Sequence, residues 1–184
     1  MDMEFTREHV NKNGREIRYG WISRKYSTAL SCLAGNDVEI VDEFGPFSEP
    51  ISFEGEGILN MDDIVQIHDQ MIDDFGGEYG IRDEGLLTSL SVAPYSEFFG
   101  EEQYPGILQK AAKYLFDFTN YQVFIDGNKR TGLAVLNAYL AANGLTLTMS
   151  VSDAYQLVMA IAKHEYKDSK DIVPVLQMNI ETIK

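Results

Sequence analysis

Two strongly apolar segments, Ala111 to Phe118 and Leu133 to Ala142, flank a polar stretch, Phe124-Ile125-Asp126-Gly127-Asn128-Lys129-Arg130-Thr131-Gly132. Both flanks read as helices that a compact domain buries. A polar, glycine-containing loop between two core helices reads as a site rather than a connection. Gly127 lets the backbone come close to a ligand, and the N–H groups that open the second helix suit an anion. Asn128, Lys129 and Arg130 add side-chain donors, and Asp126 offers oxygen to a metal ion that bridges phosphates. Taken together, these residues describe a phosphate cradle at a helix N-terminus. The plainer reading is a capped junction, with Asp126 and Asn128 as local caps and Lys129-Arg130 as solvated surface.

The rest of the chain divides in two. Residues 1–57 read as a small β-containing N-terminal extension. In it, Asn11-Lys12-Asn13-Gly14 is a turn, Ile17 to Ile22 partly alternates, and Val38 to Val41 looks like a strand. Tyr26 to Leu33 fits a short helix or a strand. Residues 58–184 read as a mainly α domain. Asn60 caps a helix whose Ile64, Ile67, His68 and Met71 share a buried face, and Gly76-Gly77 ends it. Arg82 to Gly85 turns into a second helix, Leu86 to Val92, and Pro94 to Pro105 is loop-like, aromatic and acidic. A long helix, Gly106 to Thr119, leads into the polar loop, and Arg130 to Ala142 follows as the most buried helix. Asn143-Gly144 closes it. Ser150 or Ser152 caps a helix through Ala154 to Lys163. Ile172 to Thr182 reads as a final helix with Pro174 in its first turn.

Charge and cysteine content narrow the function classes. The formal net charge is −14, from 29 acidic and 15 basic residues, which argues against nucleic acid or an anionic membrane as partner. No apolar run is long enough for a membrane span and no signal-peptide pattern opens the chain, so a cytoplasmic protein is expected. Cys32 is the only cysteine, which excludes an intrachain disulfide and a cysteine-rich zinc site.

The loop also resembles the Fic/Doc family motif, His-x-Phe-x-(Asp/Glu)-(Gly/Ala)-Asn-(Gly/Lys)-Arg. The matching stretch is Gln122-Val123-Phe124-Ile125-Asp126-Gly127-Asn128-Lys129-Arg130, and its Asn-Lys-Arg-Thr ending is similar to the Doc-like branch. The likeness extends through His68-Asp69, Phe75-Gly76-Gly77, Gly80 to Leu87, Tyr104-Pro105 and Asn143-Gly144. It implies a Fic-type helical bundle with a short β-hairpin flap at Pro94 to Pro105. It also implies transfer of AMP or phosphate from ATP to a hydroxyl side chain of a target protein. Asp126 then holds Mg2+, while Gly127, Asn128, Lys129 and Arg130 hold the nucleotide. A Doc-like toxin is neutralised by a separate antitoxin, so the resemblance implies a partner of that kind.

Gln122 departs from the motif. It stands where the family histidine takes the proton from the attacking hydroxyl, and an amide can hold a hydroxyl but not accept its proton. General-base help is worth about 10²–10⁴-fold, so its loss cripples transfer while sparing nucleotide binding. Neighbouring Tyr121, a phenol, is a poor substitute. His68 and His164 are distant in sequence and read as structural or surface residues. Three readings follow: an engineered His→Gln change, a natural variant kept as a binding or regulatory module, or a transferase whose substrate or bound water supplies the base. Ser52-Phe53-Glu54-Gly55-Glu56-Gly57 formally matches an inhibitory pattern of the family. Its glycines disfavour a helix, and the arginine it would pair with is Leu133 here.

Overall fold

The computed structural model describes residues 57–183, together with residues 30 and 32–35 and the backbone of two short strands. These strands, β1 (His9–Val10) and β2 (Glu16–Ile17), pair antiparallel, while the turn expected at Asn11 to Gly14 lies outside the described residues. Residues 30, 32 and 33 are helical, and the rest of Tyr26 to Leu33 lies outside the described residues. The strand expected at Val38 to Val41 and the pattern at Ser52 to Glu56 lie outside the described residues.

Helix α1 (Met61–Phe75) begins at a reciprocal cap. The Asp63 N–H donates to Asn60 Oδ1 at 3.0 Å, and the Asn60 N–H donates to Asp63 Oδ2 at 2.9 Å. Its apolar face, Ile64, Ile67, Met71 and Ile72, is buried as the spacing requires. The helix stops at Gly76 and Gly77, whose φ values of 75° and 125° suit glycine and few other residues. Asp83 caps α2 (Glu84–Val92), which therefore starts two residues earlier than its apolar run. A 3-10 turn, Ala93–Tyr95, leads to a hairpin of β3 (Glu97–Phe98) and β4 (Glu101–Glu102).

The centre of the molecule is the antiparallel pair α3 (Ile107–Asn120) and α4 (Asn128–Ala142), joined by the polar loop. Thirteen of the fifteen residues of α4 are buried, so other elements surround it. Gly132 lets it press against α3, since a Cβ there would meet Thr119 Oγ1 at 3.0 Å. Tyr114, fully buried on α3, ties neighbouring segments by donating to the Ser91 carbonyl at 3.0 Å.

The C-terminal region corrects one expectation. After α5 (Val151–Ala162, capped by Ser150) and a 3-10 turn at Ser169–Ile172, helix α6 covers only Val173–Gln177. Residues Ile180–Thr182 form strand β6, not the end of a helix to Thr182, and pair with β5 (Leu145–Leu147). The domain is mainly α, as expected, with this second small sheet besides the hairpin. Asn179 stops the helix by donating to the Val175 carbonyl at 2.8 Å. The β-branched residues Ile180 and Thr182 then find a strand edge that the turn after α4 presents.

Candidate functional site

The loop between α3 and α4 is built by its own side chains. Asn128 accepts from the Phe124 N–H at 2.9 Å and donates to the Phe124 carbonyl at 3.0 Å, which closes the turn on itself. Its amide also donates to Gln122 Oε1 at 3.4 Å. Gly127 sits in the left-handed region at φ 76°, and α4 starts at Asn128, two residues before the apolar pattern shows it. No side chain caps this end of α4. The first N–H groups of a long buried helix thus face the loop with the positive end of its dipole behind them.

Helix α1 supports the loop from below. His68, buried to 1 %, donates from Nε2 to the Asp126 carbonyl at 3.1 Å and stacks on the Phe124 ring at 3.9 Å. A carbonyl only accepts, so Nε2 carries a proton, and Nδ1 lies 2.9 Å from Asp69 Oδ1. His68 is thus a structural residue, as expected, but it touches the motif loop. With no free nitrogen it cannot stand in for a base at position 122.

Arg130 also reaches α1. Its Nη1 donates to the carbonyls of Met71 at 3.1 Å and Gly76 at 2.6 Å, and so serves as a cap on the last turn of α1. Its Nη2 lies 3.4 Å from Asp126 Oδ2. Burial pulls the guanidinium below its ordinary pKa, and Asp126 opposes that shift. Gly77, whose φ of 125° suits glycine, lies beside this pair: an added Cβ would overlap Asp126 Oδ2 and approach Arg130 Nη2 to 3.0 Å.

A strap of chain crosses the loop. Ile81 bridges Phe124, the Ile125 N–H donates to the Gly80 carbonyl at 3.0 Å, and the Arg82 N–H donates to the Val123 carbonyl at 2.8 Å. Arg82 Nη2 adds a bond to the Ile125 carbonyl at 3.1 Å. The segment in strand-like contact with the motif is therefore Gly80 to Asp83. The hairpin β3–β4 is rooted elsewhere, at the N-terminal end of α3, where Lys110 Nζ bonds Glu102 Oε2 at 2.8 Å. A cavity of about 320 Å³ lies at that same end, lined by Tyr95, Glu102, Lys110, Tyr139 and Asn143 among others. Burial pushes the Tyr95 and Tyr139 hydroxyls up, so they remain protonated donors.

The six sequence-derived site residues thus share the loop and the first turn of α4, in differing states. Gln122 and Asp126 are exposed, Gly127, Asn128 and Arg130 are buried, and Lys129 is half-buried. Among the described residues no group of three or more His, Cys, Asp or Glu side chains could hold a metal. Asp126 as a single carboxylate fits Mg2+, which takes one or two protein oxygens and fills its shell from phosphate and water. His68, Gly77 and Arg82 are contributors that carried no assigned role, although each lies in the stretches that resemble the family. No helix of the described residues is long and apolar enough to cross a membrane.

Comparison with known proteins points one way. A family profile described as "Fic/DOC family" matches residues 58–140. The chain is 34% identical over 93 residues to Toxin Doc of Mycolicibacterium smegmatis (strain ATCC 700084 / mc(2)155), covering 50% of this chain and 72% of that protein. No solved structure matches the chain significantly.

Proposed function

The chain belongs to the Fic/Doc family, and from that premise we propose that the loop at residues 122–130 binds ATP with Mg2+ for transfer to a protein hydroxyl. The group transferred is AMP or phosphate, and the setting is that of a toxin with a separate antitoxin. The division into an extension, 1–57, and a Fic/Doc-like domain, 58–184, belongs to the same reading. One observation carries it: the uncapped N-terminus of α4 opens behind left-handed Gly127, with half-exposed Asp126 at its mouth.

Each residue then has a task that its surroundings allow. Asp126 offers carboxylate oxygen to Mg2+, which when bound neutralises phosphate charge. The N–H groups opening α4 and the half-buried Lys129 face the phosphates. Asn128 keeps the turn in shape, and its amide is already spent on Phe124 and Gln122. Arg130 has Nη2 to offer once Asp126 turns to the metal, while Nη1 stays on α1. Gln122 orients the acceptor hydroxyl but cannot take its proton. This chain accordingly binds nucleotide and transfers poorly, and a silent nucleotide- or protein-binding module is the second reading that Gln122 supports.

The test is a pair of measurements on the wild type and Gln122→His. Calorimetry with ATP and Mg2+ gives equal affinities for the two, lost in Asp126→Asn. Labelled ATP with a cell lysate gives target labelling only after the histidine is restored, with a gain of about 10²–10⁴-fold. Labelling by neither protein, with binding intact, selects the silent module. Labelling by the wild type at the rate of the variant overturns the account of the base.

A further inference from the structure

Two of the donors proposed for phosphate are engaged within the loop itself, and by an anion. The Gly127 N–H donates to Asp126 Oδ1, and Asp126 Oδ2 lies 3.4 Å from Arg130 Nη2. One carboxylate therefore spans the left-handed turn and the guanidinium, with an oxygen on each. A pair of phosphate oxygens asks for the same two donors through the same kind of charge-assisted bond.

The surroundings fix the donors and leave only the carboxylate able to move. His68, itself buried, donates to the Asp126 carbonyl at 3.1 Å and so anchors the main chain of that residue. Arg130 cannot follow or withdraw, because its Nη1 is bonded to the carbonyls of Met71 at 3.1 Å and Gly76 at 2.6 Å. Gly77 leaves the space that Oδ2 fills, since a Cβ there would overlap that oxygen. The Asp126 side chain is 49% exposed and reaches a different rotamer by turning about a single bond.

We propose that the Asp126 carboxylate is an internal competitor of phosphate, holding Gly127 N–H and Arg130 Nη2 until its side chain swings away. The proposal concerns regulation of the site described above and rests on that reading of it. The loop's affinity for ATP alone is suppressed by its own side chain. The same carboxylate is the oxygen donor assigned to Mg2+, so a carboxylate turned to the cation leaves both donors to the phosphate. Preference for ATP with its cation over ATP alone then follows from one side chain with two alternative places.

Simple repulsion between carboxylate and phosphate is the competing account, and two substitutions separate them. Asp126→Asn removes the charge but keeps an oxygen that can accept from the Gly127 N–H, whereas Asp126→Ala removes both. Both replace a half-exposed side chain, and circular dichroism melting verifies that each variant is folded. Titration calorimetry with ATP is run first in EDTA and then with Mg2+. Without the cation, Asp126→Ala is expected to bind ATP about tenfold more tightly than the wild type, with Asp126→Asn between them. With Mg2+ the order inverts, because both variants lack the carboxylate assigned to the cation. Equal cation-free affinities in the wild type and Asp126→Ala overturn the proposal. Equal gains in the two variants also overturn it, by making the effect one of charge alone. Both of those results leave the nucleotide site standing. A wild type that binds no ATP even with Mg2+ overturns the site itself, and the proposal with it.

Discussion

Arg130 is proposed to meet phosphate, yet its contacts make it part of the scaffold, and Arg130→Ala measured on ligand-free protein isolates the scaffold role. The guanidinium is 2% exposed and gives Nη1 to two main-chain carbonyls, Met71 and Gly76. Hydrogen bonds from a charged donor contribute about 1.5–3 kcal/mol each, so the two together contribute roughly 3–6 kcal/mol. Removing a buried cation also relieves its desolvation, which lowers the net. Breaking such a buried charged network costs about 3–5 kcal/mol. A domain of this size is stable by about 5–15 kcal/mol, so the loss is a large share of the total. Urea unfolding followed by far-ultraviolet circular dichroism should show the midpoint falling accordingly, with the slope unchanged. Arg130→Lys keeps the charge but not the fork, and should fall between the two. The half-exposed partner matters less: Asp126→Asn should cost no more than about 1 kcal/mol. If ligand-free Arg130→Ala unfolds within about 0.5 kcal/mol of the wild type, the residue is not a clasp on α1 and the reasoning fails. The same contacts make Arg130→Ala an ambiguous probe of ATP binding, and Asp126→Asn the cleaner one.

Further outcomes are expected elsewhere. Gly127→Ala forces a left-handed alanine whose Cβ meets Ile72 Cδ1 at 3.1 Å, and should lower stability by about 1–2 kcal/mol in a denaturant titration; no change means the turn can relax. Phe99→Asn releases strain at an exposed turn and should stabilise by about 1 kcal/mol, whereas a loss would show that the ring supports the hairpin. Asp117 is fully buried on α3; burial raises its carboxyl pKa, with the Lys113 ammonium at 2.9 Å opposing. The native state therefore binds a proton that the unfolded chain releases first, and this group's stabilisation fades as pH rises from about 3.9 through the higher native value. Asp117→Asn removes that slope, so unfolding curves for the two proteins should move in the variant's favour as pH rises through this window; the opposite trend refutes the assignment.

The parts of this structure that were readable in advance are the local ones. The apolar spacing in α1, α3, α4 and α5 repeats every three or four residues, and the caps Asn60 and Ser150 stand next to the patterns of α1 and α5. The junction between α3 and α4 was readable because its polar residues are consecutive. What escaped depends on partners far along the chain. The Ile180–Thr182 segment looks like helix until Leu145–Leu147 offers it an edge. The start of α4 at Asn128 was hidden because asparagine is a poor helix former and the left-handed turn before it leaves no apolar trace. His68 has helical spacing like its neighbours, and only the fold shows that its ring meets Asp126 rather than the core alone. The hairpin itself was anticipated, but its attachment to Lys110 rather than to the motif depends on geometry between elements.

The α1 contacts have a consequence for when the site comes into being. The α3–α4 pair is contiguous and can associate early, yet His68 reaches Asp126 across 58 residues, and Arg130 reaches Gly76 and Met71 across 54 and 59. The arrangement of the loop is unfinished until that distant helix arrives. A chain emerging from synthesis has both by then, since α1 comes first, so assembly waits on docking and not on supply. A partly folded protein consequently holds the motif residues without their arrangement, and the nucleotide binding proposed for them should appear all at once with the last cooperative step.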